Sequence, residues 1–125
     1  MTSNPTSQPD WLTEEVKGTH LYVQPTAKTL NEAEGRSLTE YLRSRLDDDS
    51  SLTGVALDLS KVELITSPAI GALIVIHKRL NGSNRTLVLF NLSGMLAEAL
   101  AFLKLDNVFT ICPAAKDVEK ALSAR

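Results

Sequence analysis

A neutral hydroxyl pair, Thr66 and Ser67, interrupts the apolar stretch VELITSPAIGALI of residues 62–74 and is followed at once by Pro68. Hydroxyls so placed could attack a substrate, cap a helix or accept a phosphate. An esterase-like serine needs a strained G-x-S-x-G turn and a base within reach. Ser67 instead sits in ITSPA, with no glycine at either place. His20 and His77 are the only imidazoles and lie far apart in sequence, whereas a metal site needs three or four convergent ligands. His77 reads as a boundary histidine on an apolar helix. Cys112 is the only cysteine, so there is no internal disulfide, redox pair or cysteine zinc cluster, and a reducing cytoplasm fits. No glycine-rich phosphate loop follows a strand, so no nucleotide cofactor is expected. Two readings of the hydroxyls stay open. Ser67 directly before Pro68 has the signature of a helix N-cap. A hydroxyl at a helix N-terminus beside Pro68, Ala69 and Ile70 also suits a phosphate switch: the helix end accepts the negative charge, and a partner packed on the apolar residues does not.

The elements that must position this segment follow from composition and period. The chain has 125 residues, 43% hydrophobic and 22% charged, enough for one domain with a single core. Thirteen basic and 15 acidic residues, with no basic block, argue against nucleic acid as a partner. The first ten residues, MTSNPTSQPD, lack the charged start and apolar core of a signal peptide and read as a flexible tail; residues 11–125 read as one domain. No apolar run reaches the roughly 18 residues of a membrane span. Residues 11–17 and 19–24 flank Gly18 as a hairpin. Leu30, Ala33, Leu38, Tyr41, Leu42 and Leu46 share one stripe, which predicts a helix over 30–46 with Thr29 and Glu32 as its capping box. The acidic run Asp47–Asp49 then reads as a solvated connector. VALDL (55–59) and TLVLF (86–90) are buried strands joined by a helix over 68–80. A helix capped by Ser93, a strand over 108–112 and a last helix opened by Pro113 complete the order. The result is an α/β fold: a small mixed sheet, mostly parallel with an N-terminal hairpin, carrying about four helices.

DLSKVELITSPAIGALIVIHKRL, then TLVLFNLS, AEALAFLKLDNVFTI and a closing amphipathic helix, resemble the STAS domain family of bacterial anti-sigma factor antagonists over roughly residues 54–122. In that family the strand-to-helix junction commonly reads Asp-Ser-Ser-Gly-Leu-Gly or Asp-Ser-Ala-Gly. By this register Thr66 stands at the acidic residue and Ser67 at the phosphorylated serine. Pro68 and Ala69 replace small residues, Gly71 matches the glycine, and Asp58 matches an acidic position near the same surface. The resemblance implies a partner-switching protein and not an enzyme. Its unphosphorylated form binds a serine kinase that doubles as an anti-sigma factor, phosphorylation at Ser67 (Thr66 as a minor alternative) ends the interaction, and a phosphatase resets it. Asp58, Thr66, Ser67, Pro68, Ala69, Ile70 and Gly71 would form the contact surface. The alternative is a STAS domain that binds without phosphorylation, as a subunit of a transporter or signalling scaffold.

Overall fold

A computed structural model describes residues 8–123 of the chain, so residues 1–7 of the expected tail lie outside the described residues. Strands β1 (Leu12–Lys17) and β2 (His20–Pro25) form the expected hairpin around Gly18, whose φ of +62° is cheap only for glycine. Two-residue β3 (Thr29–Leu30) leads into helix α1 (Glu32–Asp48), then strand β4 (Gly54–Asp58) and two-residue β5 (Leu64–Ile65). Helix α2 (Ser67–Gly82), strand β6 (Thr86–Phe90), helix α3 (Gly94–Phe102), strand β7 (Thr110–Cys112) and helix α4 (Val118–Leu122) follow.

The main sheet has the order β1-β2-β4-β6-β7, with β1 antiparallel to β2 and every other pair parallel. Its register aligns Leu21 with Val55 and Leu87, and Val23 with Leu57 and Leu89. Successive strand residues point to opposite faces. These six therefore meet Leu38 and Leu42 of α1 and Leu73, Ile76 and Leu80 of α2 in one core. The alternate residues Ala56, Val88 and Phe90 pack with Val118 and Leu122 of α4 on the other face. Apolar strands without alternation are thus explained by a sheet covered on both sides.

Local corrections concern element ends. The N-cap of α1 is Asn31, not Thr29: Asn31 Oδ1 accepts from the amides of Ala33 (3.1 Å) and Glu34 (3.4 Å), and Glu34 Oε1 accepts from the Asn31 amide at 3.2 Å. Thr29 is occupied in β3, which pairs in parallel with β5. Asp47 and Asp48 continue the helix instead of leaving it. Arg43 pairs with Asp47 at 3.8 Å, and Arg85 Nη2 donates to the carbonyl of Leu46 at 3.0 Å, so cations offset acid at the negative helix end. A short 3-10 turn (Ala115–Asp117) separates Pro113 from α4, and β7 begins at Thr110, because Val108 and Phe109 both donate their amides to Leu105 in a turn. Among the described residues no helix is long and apolar enough to cross a membrane.

Candidate functional site

The junction between β5 and α2 is held from α1's side of the chain. Thr66 donates both its amide (2.9 Å) and its Oγ1 (3.3 Å) to the carbonyl of Leu30, directly after β3 pairs with β5. Thr66, with φ −74° and ψ 162°, is therefore the N-cap residue of α2, but its hydroxyl makes no capping bond. This corrects the expectation that Ser67 is the cap. Ser67 is the first helical residue, exposed, with Pro68 immediately after it. The ring of Pro68 suits the first turn, where an amide would lack an intrahelical acceptor. The first intrahelical amide bond runs from Ile70 to Thr66 at 2.9 Å. The amides of Ser67 and Ala69 precede it, at the positive end of the helix. The first turn carries no acidic side chain.

A second anchor lies outside what sequence reasoning supplies. A Cβ on Gly35 of α1 would lie 2.9 Å from the Cα of Ala69 and 3.2 Å from the Cβ atoms of Ala69 and Ala72. The two helices approach closely there, and Ala69 is only 1% exposed. Ala69, expected in the contact surface, is therefore a packing residue and no partner can reach its side chain. The glycine in the middle of an otherwise regular helical stripe is the available sign of this crossing. Ile70 is half-buried, while Pro68 and Gly71 are exposed and line a groove of about 340 Å³ with Glu32, Arg36, Thr39 and Val75. Arg36 is paired with Glu32 at 3.2 Å across one turn of α1.

Asp58, at the end of β4, lines a different depression of about 330 Å³ with Tyr22, Gln24, Phe90 and Asn91. Its carboxylate is well supplied with donors: Oδ1 accepts from the Ser60 amide (2.9 Å) and Asn91 Nδ2 (3.4 Å), and Oδ2 from Gln24 Nε2 (3.1 Å). Asp58 thus ties the ends of β2, β4 and β6 together. The remaining candidates behave as structural groups. His77 stacks edge-on against Phe109 with ring centroids 5.5 Å apart, and burial pushes its pKa down. Cys112 is buried, which pushes its thiol up. No cluster of three metal-ligating side chains occurs among the described residues.

This fold has relatives of known structure. The family model described as the STAS domain matches residues 12–121, and the chain belongs to that family. A search of curated proteins finds no match. Among solved structures, a Thermotoga maritima protein described as an anti-sigma factor antagonist superposes with a TM-score of 0.80 at 18% identity, over 90% of this chain and 95% of that one. The phosphorylated form of SpoIIAA, a Bacillus cell fate determinant, gives 0.66 at 11% identity, over 88% and 98%. Murine Slc26a9, an anion transporter, gives 0.74 at 14% identity, over 89% of this chain but 19% of the transporter. At these identities the likeness is one of fold.

Proposed function

We propose that the chain is an anti-sigma factor antagonist. It binds a serine kinase that also acts as an anti-sigma factor, is released when Ser67 is phosphorylated, and is reset by a phosphatase. The observation that carries this reading is the exposure of Ser67 at the first position of α2, in a first turn without acidic side chains. A phosphate there would bring about −1.5 to −2 charges to the positive helix end, which favours them. The same charge would fall beside Pro68, Ile70 and Gly71, where a partner's apolar surface would have to desolvate it. The kinase supplies base and metal, so the acceptor protein needs only to present a hydroxyl. Thr66 is the poorer acceptor because its hydroxyl is engaged with the Leu30 carbonyl. SpoIIAA, solved in a phosphorylated form, shares the fold and supports the reading.

Incubation with the cognate kinase and ATP tests it. Intact mass should rise by one phosphate, about 80 Da, in the native chain and in Thr66→Ala, and not in Ser67→Ala. Ser67→Asp should weaken the kinase complex by about 1–3 kcal/mol, while Ser67→Ala binds like the native chain. Phosphate retained in Ser67→Ala and lost in Thr66→Ala would overturn the assignment.

The fold shared with murine Slc26a9 favours a second reading, a STAS domain that binds within a larger assembly without phosphorylation. In that case protein purified from its own host carries no phosphate, and Ser67→Asp leaves partner affinity unchanged.

A further inference from the structure

Helices α1 and α2 leave the paired strands β3 and β5 in step. Leu30 lies beside Ile65, Thr66 donates to the Leu30 carbonyl, and each strand passes into its helix at the second residue on, Glu32 and Ser67. Glu32 therefore starts level with Ser67, and Arg36, one turn on, stands level with Gly71. The seating of Gly35 against Ala69 and Ala72 shows that this register persists into the helices. Glu32, Arg36 and Glu40 form one row along α1, and Ser67 stands one turn before Gly71 on the facing flank of α2. Among the described residues that line the groove between these rows, Arg36 carries the single positive charge.

Arg36 does not point straight across the groove. Its Nη2 donates to Glu32 Oε2 at 3.2 Å, one turn back towards the start of α1, the direction in which helical side chains lean. That carries the guanidinium from the level of Gly71 to the level of Ser67. The glycine keeps the crossing clear, since a Cβ at Gly71 would meet nothing within 4 Å.

We propose that Arg36 is a phosphate clamp: once Ser67 is phosphorylated, the guanidinium leaves Glu32, binds two phosphate oxygens across the groove and closes it over Pro68 and Gly71. The inference rests on the phosphorylation of Ser67 argued above and assigns the residue that holds the modified state. The existing pair is easily exchanged, because the Arg36 and Glu32 side chains are 65% and 69% exposed and such pairs contribute little. A phosphate brings about −1.5 to −2 charges level with the Glu32 carboxylate, and a cation between the two anions relieves their repulsion. The planar fork of arginine matches two phosphate oxygens, which an ammonium cannot do. The amides at the start of α2 then hold the phosphate from one side and Arg36 from the other. Phosphorylation excludes a partner twice, by charge and by filling the groove beside Pro68.

Phosphoserine incorporated at position 67 during synthesis of the full chain tests the clamp without the kinase. Phosphorus NMR should place the second ionisation of this phosphate below the value of about 6 for a free phosphoserine. Arg36→Gln should raise it by about 0.5–1. Arg43→Gln removes the same charge from the Arg43–Asp47 pair, nearly two turns further along α1, and should leave it unchanged. Arg36→Lys, which keeps the charge and loses the fork, should recover only part of the native value. In proton–nitrogen spectra the Arg36 Nε–H resonance should shift when the phosphate is present, and that of Arg43 should not. Arg36 is largely solvated, so an unchanged thermal transition of the unphosphorylated variant will show that it is folded. Equal ionisation in the native chain and Arg36→Gln, an equal change in Arg43→Gln, or an unmoved Arg36 resonance would overturn the clamp. A chain that the kinase never modifies would instead overturn the reading of Ser67, with the clamp measured independently.

Discussion

Glu119 joins the last helix to the second strand by charge. Its carboxylate accepts from the Tyr22 hydroxyl and from His20 Nδ1, the latter at 2.9 and 3.1 Å to its two oxygens. The Tyr22 bond, aided by His20, holds the Glu119 pKa below the usual carboxylate range. Burial, and then the same carboxylate, push Tyr22 well above the usual phenol range. A carboxylate whose pKa is depressed by folding stabilises the fold above its unfolded value, and that contribution is lost as pH falls through the folded one. The Glu119 side chain is 55% exposed, so screening keeps the effect small. Glu119→Gln should lower the melting temperature at pH 7 by about 2–4 °C. The gap to the native chain should close as pH falls from about 5 towards about 3. A gap that persists at the acid end would assign the loss to packing instead of charge. The same scale shows what the sequence could say about the site. Residue type and the following proline are enough to single out the Thr66–Ser67 pair. They do not say which of the two is the cap, because the deciding acceptor is the Leu30 carbonyl, reached only through the pairing of β3 with β5. The burial of Ala69 escapes sequence reasoning for the same reason: its neighbour Gly35 is distant in sequence.

Between elements, the closest constraint is the crossing of α1 over α2. Gly35→Ala gains helix propensity of about 1 kcal/mol, but the new methyl meets backbone, the Ala69 Cα at 2.9 Å, which cannot rotate away. Overpacking of this kind costs about 1–3 kcal/mol, so a net destabilisation of up to about 2 kcal/mol is expected in urea. Ala69→Gly should not rescue it, because it removes the Cβ and leaves the obstructing Cα. A double variant as stable as the native chain would show that the helices part easily. Long periodic elements such as this pair are legible from spacing alone. Two-residue β3 and β5 are not, since a strand that short has no period to read and is defined only by its partner. The helical end at Asp47 and Asp48 is equally hidden, because Arg85, from beyond α2, supplies the donor to Leu46.

Across the whole molecule, the two faces of the sheet are covered unequally, by α1, α2 and the buried side of α3 on one side and by α4, a helix of five residues, on the other. Gly54 at the start of β4 makes room for that short helix: a Cβ there would lie 2.8 Å from Leu122 Cδ2, and its next neighbours, His20 Cδ2 at 3.4 Å and Thr86 O at 3.5 Å, are at ordinary contact. The backbone φ of Gly54 is not positive, so alanine meets no conformational strain. Its cost comes from displacing Leu122, about 1–2 kcal/mol. Leu122 is 3% exposed, and Leu122→Ala should cost about 2–4 kcal/mol through lost burial and a residual cavity. Once the Leu122 side chain is gone, the methyl added by Gly54→Ala fits the space, and that substitution becomes neutral or stabilises by up to about 1 kcal/mol through a less flexible unfolded chain. A double-mutant cycle in urea should therefore give a coupling of at least about 1 kcal/mol between the two positions. Strict additivity would mean that the Leu122 side chain turns aside at no cost, and that α4 is not fixed to the sheet at Gly54.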